Sequence, residues 1–180
     1  MTSRILEHHV VDEDGNTALI VALEKGLDTV ALKFLEFGAS ACNLSRVSNY
    51  GETALTWACQ KGLDTVALKI LEFGADACKL GQVNNFGYTA LTYACRKGLD
   101  TVALKILEFG ADACKVGHVN KAGETALIWA CRRGLQTVAL RLLSFGADTC
   151  KLNQRDKNGK TAREYADEGG EAMRAVMDVQ

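Results

Sequence analysis

The chain has 180 residues, 48% of them hydrophobic and 24% charged, with a formal net charge of −1. That hydrophobic share can bury a sizeable core, which excludes disorder for most of the chain. The near-neutral balance argues against a protein that coats nucleic acid or an anionic membrane by charge alone. No apolar run reaches signal-peptide or membrane-spanning length, and seven cysteines without a secretory signal fit a reducing, intracellular compartment, expected to be the cytoplasm.

In chain order, residues 1–11 come first, with Ile5, Leu6, Val10 and Val11 expected to form a short N-terminal cap, to leave a self-association surface, or to be the residual segment of a longer protein. From residue 12 onward the chain repeats itself. Thr17, Thr53, Thr89, Thr125 and Thr161 each begin a Thr-Ala segment at a constant step of 36 residues, and Gly15, Gly51, Gly87, Gly123 and Gly159 precede them in phase. The expected units are 12–47, 48–83, 84–119 and 120–155, followed by a degenerate copy, 156–180. The second and third units differ only at Ser48/Asn84, Tyr50/Phe86, Glu52/Tyr88, Trp57/Tyr93, Gln60/Arg96, Leu80/Val116 and Gln82/His118, a tandem duplication.

Within a unit, Thr53 is expected to cap a short helix whose buried face carries Leu55, Ala58 and Cys59, and Gly62 stops it. Asp64 or Thr65 is expected to cap a second helix with Val66, Ala67, Ile70 and Leu71 inward. Gly74 then takes the positive φ that ends it. Neither helix is long enough to be stable alone, so stacking of neighbouring units is obligatory. The last copy carries Arg163 where the others carry leucine, with Asp167, Glu168, Glu171 and Arg174 nearby, a polar terminal cap.

The run Gly51-Glu52-Thr53-Ala54-Leu55-Thr56-Trp57-Ala58-Cys59, followed by Gly62 and Ile70-Leu71-Glu72-Phe73-Gly74-Ala75-Asp76, resembles the ankyrin repeat, and the resemblance covers residues 12–180. It implies an all-α solenoid of stacked helix-turn-helix repeats with connecting loops and hairpins. It also implies that the first helices line a concave groove where partners dock. Two departures stand out. The family's Thr-Pro-Leu-His is Thr-Ala-Leu-Thr or Thr-Ala-Leu-Ile here, so a looser turn is expected. The unit also exceeds the usual ankyrin length of about 33 residues, with the surplus at Ala77–Val83, where enlarged loops are expected. Thr-Ala-Leu-X-X-Ala-Cys with Val-Ala-Leu-Lys is similar to ankyrin arrays of large DNA viruses and amoeba-associated microbes, which would place the chain in a host cytoplasm.

Catalytic chemistry has no visible seat. The cysteines fall in two registers, Cys59, Cys95 and Cys131 on helices and Cys42, Cys78, Cys114 and Cys150 in loops, without a Cys-X-X-Cys pair that would hold a metal. The helical set reads as core, and exposed, oxidisable thiols stay open for the loop set. His8, His9 and His118 recur with no orienting acid, and no phosphate-binding glycine loop is present. No enzyme, metal or cofactor is expected.

Recognition does have a seat. At about 100° per residue, Trp57, Gln60 and Lys61 lie opposite Leu55 and are expected to face outward. The same register gives Tyr93, Arg96 and Lys97, then Trp129, Arg132 and Arg133, and Tyr165 in the cap: an aromatic ladder beside a basic stripe. Tyr50, Glu52, Phe86 and Tyr88 sit at turn tips, which the resemblance places at the groove's edge. Exposed aromatics beside arginine compose binding hot spots, so these residues are expected to grip a protein partner, an acidic segment in particular. The alternatives are nucleic-acid or other polyanion binding by the same stripe, and a self-assembling or designed repeat scaffold without a natural partner. A structural reading of Trp57, Tyr93 and Trp129, as rings that only pack on each other and the turns, stands beside the binding reading.

Overall fold

Each Thr-Ala step starts a helix, and in the computed structural model, which describes residues 10–178, five such starts give five helix pairs. They are α1 (Ala18–Glu24) with α2 (Asp28–Glu36), α3 (Ala54–Lys61) with α4 (Asp64–Leu71), and α5 (Ala90–Lys97) with α6 (Asp100–Leu107). Then come α7 (Ala126–Arg133) with α8 (Gln136–Leu143), and α9 (Ala162–Glu168) with α10 (Glu171–Met177). The described residues contain no strand, only an isolated antiparallel bridge between Val11 and Thr17. Ile5 and Leu6 lie outside the described residues.

The first helices begin as expected: the side chains of Thr53, Thr89 and Thr161 accept the backbone N–H three residues on. The turn is not looser for lack of histidine. Thr56 Oγ1 accepts the Thr53 N–H at 2.7 Å while Thr53 Oγ1 accepts the Thr56 N–H at 3.1 Å, closing a reciprocal box that satisfies two orphan donors. Second helices begin differently from expectation. Leu63 occupies the cap with no side-chain hydrogen bond, and Asp64 is the first helical residue, where its charge complements the helix dipole. Gly74 takes φ 89°, as expected.

First helices pack on first helices from α1 to α9, and second on second from α2 to α10, giving two layers with the core between them. Ala58, Cys59, Val66, Ala67 and Ile70 are fully enclosed there. The surplus residues of each unit make no enlarged open loop. Residues 75–81 fold as consecutive turns in which the Leu80 N–H bonds to Ala75 O, Lys79 takes φ 51°, and Cys78 and Leu80 are buried. All seven thiols are buried and free, so the loop set joins the helical set in the core. Burial pushes the Cys78 and Cys114 thiols up to about 11 and Cys131 to about 12, which disfavours thiolate chemistry.

The two ends differ. Val30 is 44% exposed where its counterparts Val66 and Val102 are enclosed, because α2 has no described neighbour in front of it, and Phe37 stands out at 73%. At the other end Arg163 reaches back to Asp178 at 2.9 Å and Arg174 to Asp167 at 3.2 Å, covering the cap with paired charge.

Candidate functional site

The turn tips are built from a residue that recurs in phase, Ser48, Asn84, Asn120 and Asp156, whose side-chain oxygen accepts the backbone N–H groups two and four positions on. Such local side-chain bonds hold a tight turn without further packing. Neighbouring tips are then laced together by backbone bonds: Asn49 N–H to Asp14 O, Asn85 N–H to Tyr50 O, and Lys157 N–H to Ala122 O. The result is a rigid row of tips beside the row of first helices, the arrangement a binding edge needs.

The aromatic ladder exists, but its rungs do not face outward as expected. Tyr93 is 2% exposed, and Trp129 and Tyr165 are both buried, while Trp57 is half-buried. The physical reason is that a helical wheel places a residue relative to its own helix and knows nothing of the turn that folds over it. Tyr88 lays its ring on Tyr93 at 4.7 Å, and the Asn84 amide donates to the Tyr93 hydroxyl at 3.0 Å. Tyr165 is tied to the equivalent tip residue with the direction reversed, its hydroxyl donating to Asp156 at 2.7 Å. The indole N–H groups of Trp57 and Trp129 are buried without a partner.

Cations cover the rings. The Arg96 guanidinium lies 5.2 Å from the Tyr88 ring and 5.5 Å from Trp129, and Arg132 lies 4.9 Å from Trp129 and 5.4 Å from Tyr165. Lys61 covers Trp57 at 5.3 Å. Arginine and aromatic ring thus alternate along the face, each arginine shared between successive units. Lys97, Arg132 and Arg133 are exposed, Arg96 and Gln60 half-buried, and the Gln60 carbonyl oxygen has no partner. Tyr50 and Phe86 are exposed at 48% and 61%, as their tip positions predict.

Glu52 is not a tip group reaching for a partner. It is 3% exposed, with Oε1 accepting from Asn84 Nδ2 at 2.5 Å and Oε2 buried without any donor. Burial lifts its carboxyl above the usual carboxylate range, against the pull of hydrogen bonds from Thr56, Asn84 and Tyr93. A raised folded pKa means that its contribution is fully present below the unfolded value and is lost as pH rises through the folded one. Glu52→Gln, which stays neutral, is therefore expected to stabilise the fold by about 1–2 kcal/mol at neutral pH and by nothing at pH 4, read from thermal unfolding at both. Equal shifts at the two pH values would contradict a strained, charged Glu52.

Charge is arranged unequally between the layers. On the second helices Lys33, Lys69 and Lys105 are each paired with Glu36, Glu72 and Glu108, at 3.0, 2.5 and 2.6 Å, the mixed solvent face expected of them. On the first helices Lys61, Arg96, Lys97, Arg132 and Arg133 meet no carboxylate among the described residues. Beyond Arg132 a cleft of about 440 Å³ opens, lined by Arg132, Asn158, Lys160, Tyr165, Glu168 and Gly169. Lys160 there is held by Glu168 and lies over the Tyr165 ring. Sequence reasoning missed Asn84, Asn120 and Asp156 as organisers of this face, although their recurrence at the repeat step was a readable signal. The described residues hold no group of histidine, cysteine and carboxylate side chains placed to bind a metal ion, and no helix is long and apolar enough to cross a membrane.

The family model for ankyrin repeats in three copies matches the chain over residues 2–80, 34–116 and 64–153. Among solved structures, a chain of the complex of Bd0816 predatory endopeptidase from Bdellovibrio bacteriovorus with immunity protein Bd3460 is similar. It has a TM-score of 0.70 and 26% identity, over 99% of this chain and 88% of that one. No curated protein matches the chain.

Proposed function

This chain belongs to the ankyrin-repeat family, and we propose that it is a non-catalytic scaffold that grips one protein partner along the face of first helices and turn tips. The unequal pairing of charge carries the reading. Lys33, Lys69 and Lys105 on the second helices are neutralised by glutamates of their own units, with Arg141 alone of that register lacking one and lying over Phe145 instead. Lys61, Arg96, Lys97, Arg132 and Arg133 on α3, α5 and α7 are all left for something else. Exposed Tyr50 and Phe86 beside them supply apolar anchors of the kind that dominate interface energetics. Lys97, Arg132 and Arg133 add the field that draws an acidic segment, an attraction that salt weakens. The rings act beneath this surface rather than touching the partner broadly: Trp57 lies under Lys61, Trp129 under Arg96 and Arg132, and Tyr93 under the Tyr88 ring that Arg96 covers. The similarity to a chain from a complex of two proteins agrees with protein binding, and the near-neutral net charge favours a protein over a nucleic acid.

The test uses Tyr50→Ala with Phe86→Ala, both exposed and so expected to leave helicity and melting temperature intact. Affinity purification from the source cell is expected to lose the partner held by the parent chain, a weakening of about 2 kcal/mol or more. A partner retained at equal yield by the double variant would remove the tips from the binding surface.

A further inference from the structure

The two central arginines share a property that a helical register alone does not give. Arg96 and Arg132 each have the guanidinium over two aromatic rings, Tyr88 and Trp129 for one, Trp129 and Tyr165 for the other. Neither makes an ion pair or a hydrogen bond with another described residue. With no acceptor among the described residues, their N–H donors are unspent, while the rings restrict the rotamers that a free arginine would have to give up on binding. Both are therefore prepared to take a carboxylate in the two-bond geometry.

The positive window is narrow. In the register of these two arginines the neighbouring units place Gln60 on one side and Glu168 on the other, and Glu24 stands one unit further out. A long polyanion would meet a neutral amide and then carboxylates. In this register two acidic groups meet a guanidinium fork and a third does not, while Lys61, Lys97 and Arg133, one residue on, add field without a fork.

Their separation sets the spacing of the ligand. The guanidiniums approach a common ring, Trp129, and belong to adjacent first helices, which pack at about 8–10 Å. A polyproline-II segment has three residues per turn and rises about 3.1 Å per residue, so side chains at i and i+3 project from one side roughly 9 Å apart. In a flat strand the i and i+3 side chains lie on opposite faces, and the same-face pair at i and i+2 falls short at roughly 6.6 Å.

Resting on the proposal that this face binds a protein, we infer that Arg96 and Arg132 read two carboxylates three residues apart in an extended, polyproline-II-like segment of that partner. The segment runs across the third and fourth helix pairs, with the exposed Phe86 beside its path and the cleft at Tyr165 receiving its end.

The experiment uses three labelled proline-rich peptides carrying two glutamates, spaced as Glu-Pro-Glu, Glu-Pro-Pro-Glu and Glu-Pro-Pro-Pro-Glu, titrated with the full chain and followed by fluorescence anisotropy. The three-residue spacing is expected to bind about fivefold tighter or more than either neighbour. Arg96→Lys and Arg132→Lys, which keep the charge but not the fork, are expected to bring it down to the level of the others at unchanged melting temperature. Equal affinity for the three peptides, or full affinity in both lysine variants, would overturn the inference. Failure of all three peptides while the Tyr50/Phe86 variant still loses its cellular partner would overturn the spacing and leave the binding face standing. Retention of that partner by the Tyr50/Phe86 variant would instead remove the tips from the face, and with them the path beside Phe86.

Discussion

Trp129→Ala is expected to lower the free energy of unfolding by about 3–5 kcal/mol, the largest effect of any change on the proposed binding face. The ring sits on α7 at 8% exposure, in the fourth of the five helix pairs with a neighbour on either side, and both Arg96 and Arg132 rest on it. Truncation removes the buried ring, opens a void between the turn tips and the helix layer, and releases two guanidiniums from their support. In a repeat array each unit is stable only through its neighbours, so damage between the third and fourth units weakens both halves. Its buried N–H has no acceptor, which takes something off the native stability and makes Trp129→Phe much the milder change. Urea unfolding checks this: the midpoint should fall with the slope unchanged. A loss below about 1 kcal/mol would mean that the ring is peripheral after all.

That expectation changes how binding must be probed. A variant at Trp129 or Tyr93 that loses its partner has also lost structure, so the loss says nothing about contact. Tyr50 and Phe86 are the clean probes, because both side chains are exposed outside the core and the one side-chain bond lost, Tyr50 hydroxyl to Asp14 at 2.9 Å, is itself exposed. Each change is therefore expected to alter stability by only about 0.5 kcal/mol. Arg96→Lys and Arg132→Lys are clean for a different reason. They keep a cation on the rings and remove only the flat fork.

Most of the frame was legible before any coordinates. A fixed step of Thr-Ala and Gly identifies five helix starts, and the i, i+3, i+4 spacing of Leu55, Ala58 and Cys59 identifies the face they bury. These are local properties, and local properties are what a sequence displays directly. The exposure of Tyr93 was not local. Tyr88 covers it through a chain reversal, and the acceptor that orients Asn84, Glu52, comes from the preceding unit. The wheel angle was right in that Tyr93 does point away from Leu91's side. It was misleading because the opposite side is the underside of the tips rather than solvent. The surplus residues hid their structure for another reason: Lys79 adopts a left-handed φ that lysine seldom takes, so nothing in its identity marks a tight turn.

The missing histidine shows the same limit from the other side. Its absence predicted a loose turn because the family's usual hydrogen-bonding group was gone, yet Thr56 and Thr92 close the box with hydroxyls. In α1 and α7, where isoleucine stands at that position, only the threonine cap itself remains. Hydrogen-bond capacity is thus kept in three units by other residues, Thr56, Thr92 and Glu164, and halved in two, and neighbouring units hold the weaker turns in place through the laced backbone of the tips.

The tips are also where the second large effect falls. Gly123→Ala is expected to cost about 2–4 kcal/mol, concentrated in the cap. Two causes act together at this position. The backbone has φ 77°, where a side chain is strained, and an added Cβ would lie 2.7 Å from the Arg155 carbonyl oxygen and 3.0 Å from Asp156 Cα. Both are backbone atoms that cannot swing aside, so the turn of the cap must move away from the fourth unit. The Lys157 N–H to Ala122 O bond beside it is then lost, and Tyr165, whose hydroxyl is held by Asp156, is drawn off Arg132. Gly159→Ala separates the causes, because it has the same φ of 77° and no atom within 4 Å of the added Cβ. It should cost about 1 kcal/mol from conformation alone. Hydrogen exchange should show residues 156–178 opening well before the rest in the Gly123 variant, and uniform protection in the Gly159 variant. Equal costs at the two glycines would show that the contact between tips contributes nothing, and that the cap is held by α9 and α10 packing alone.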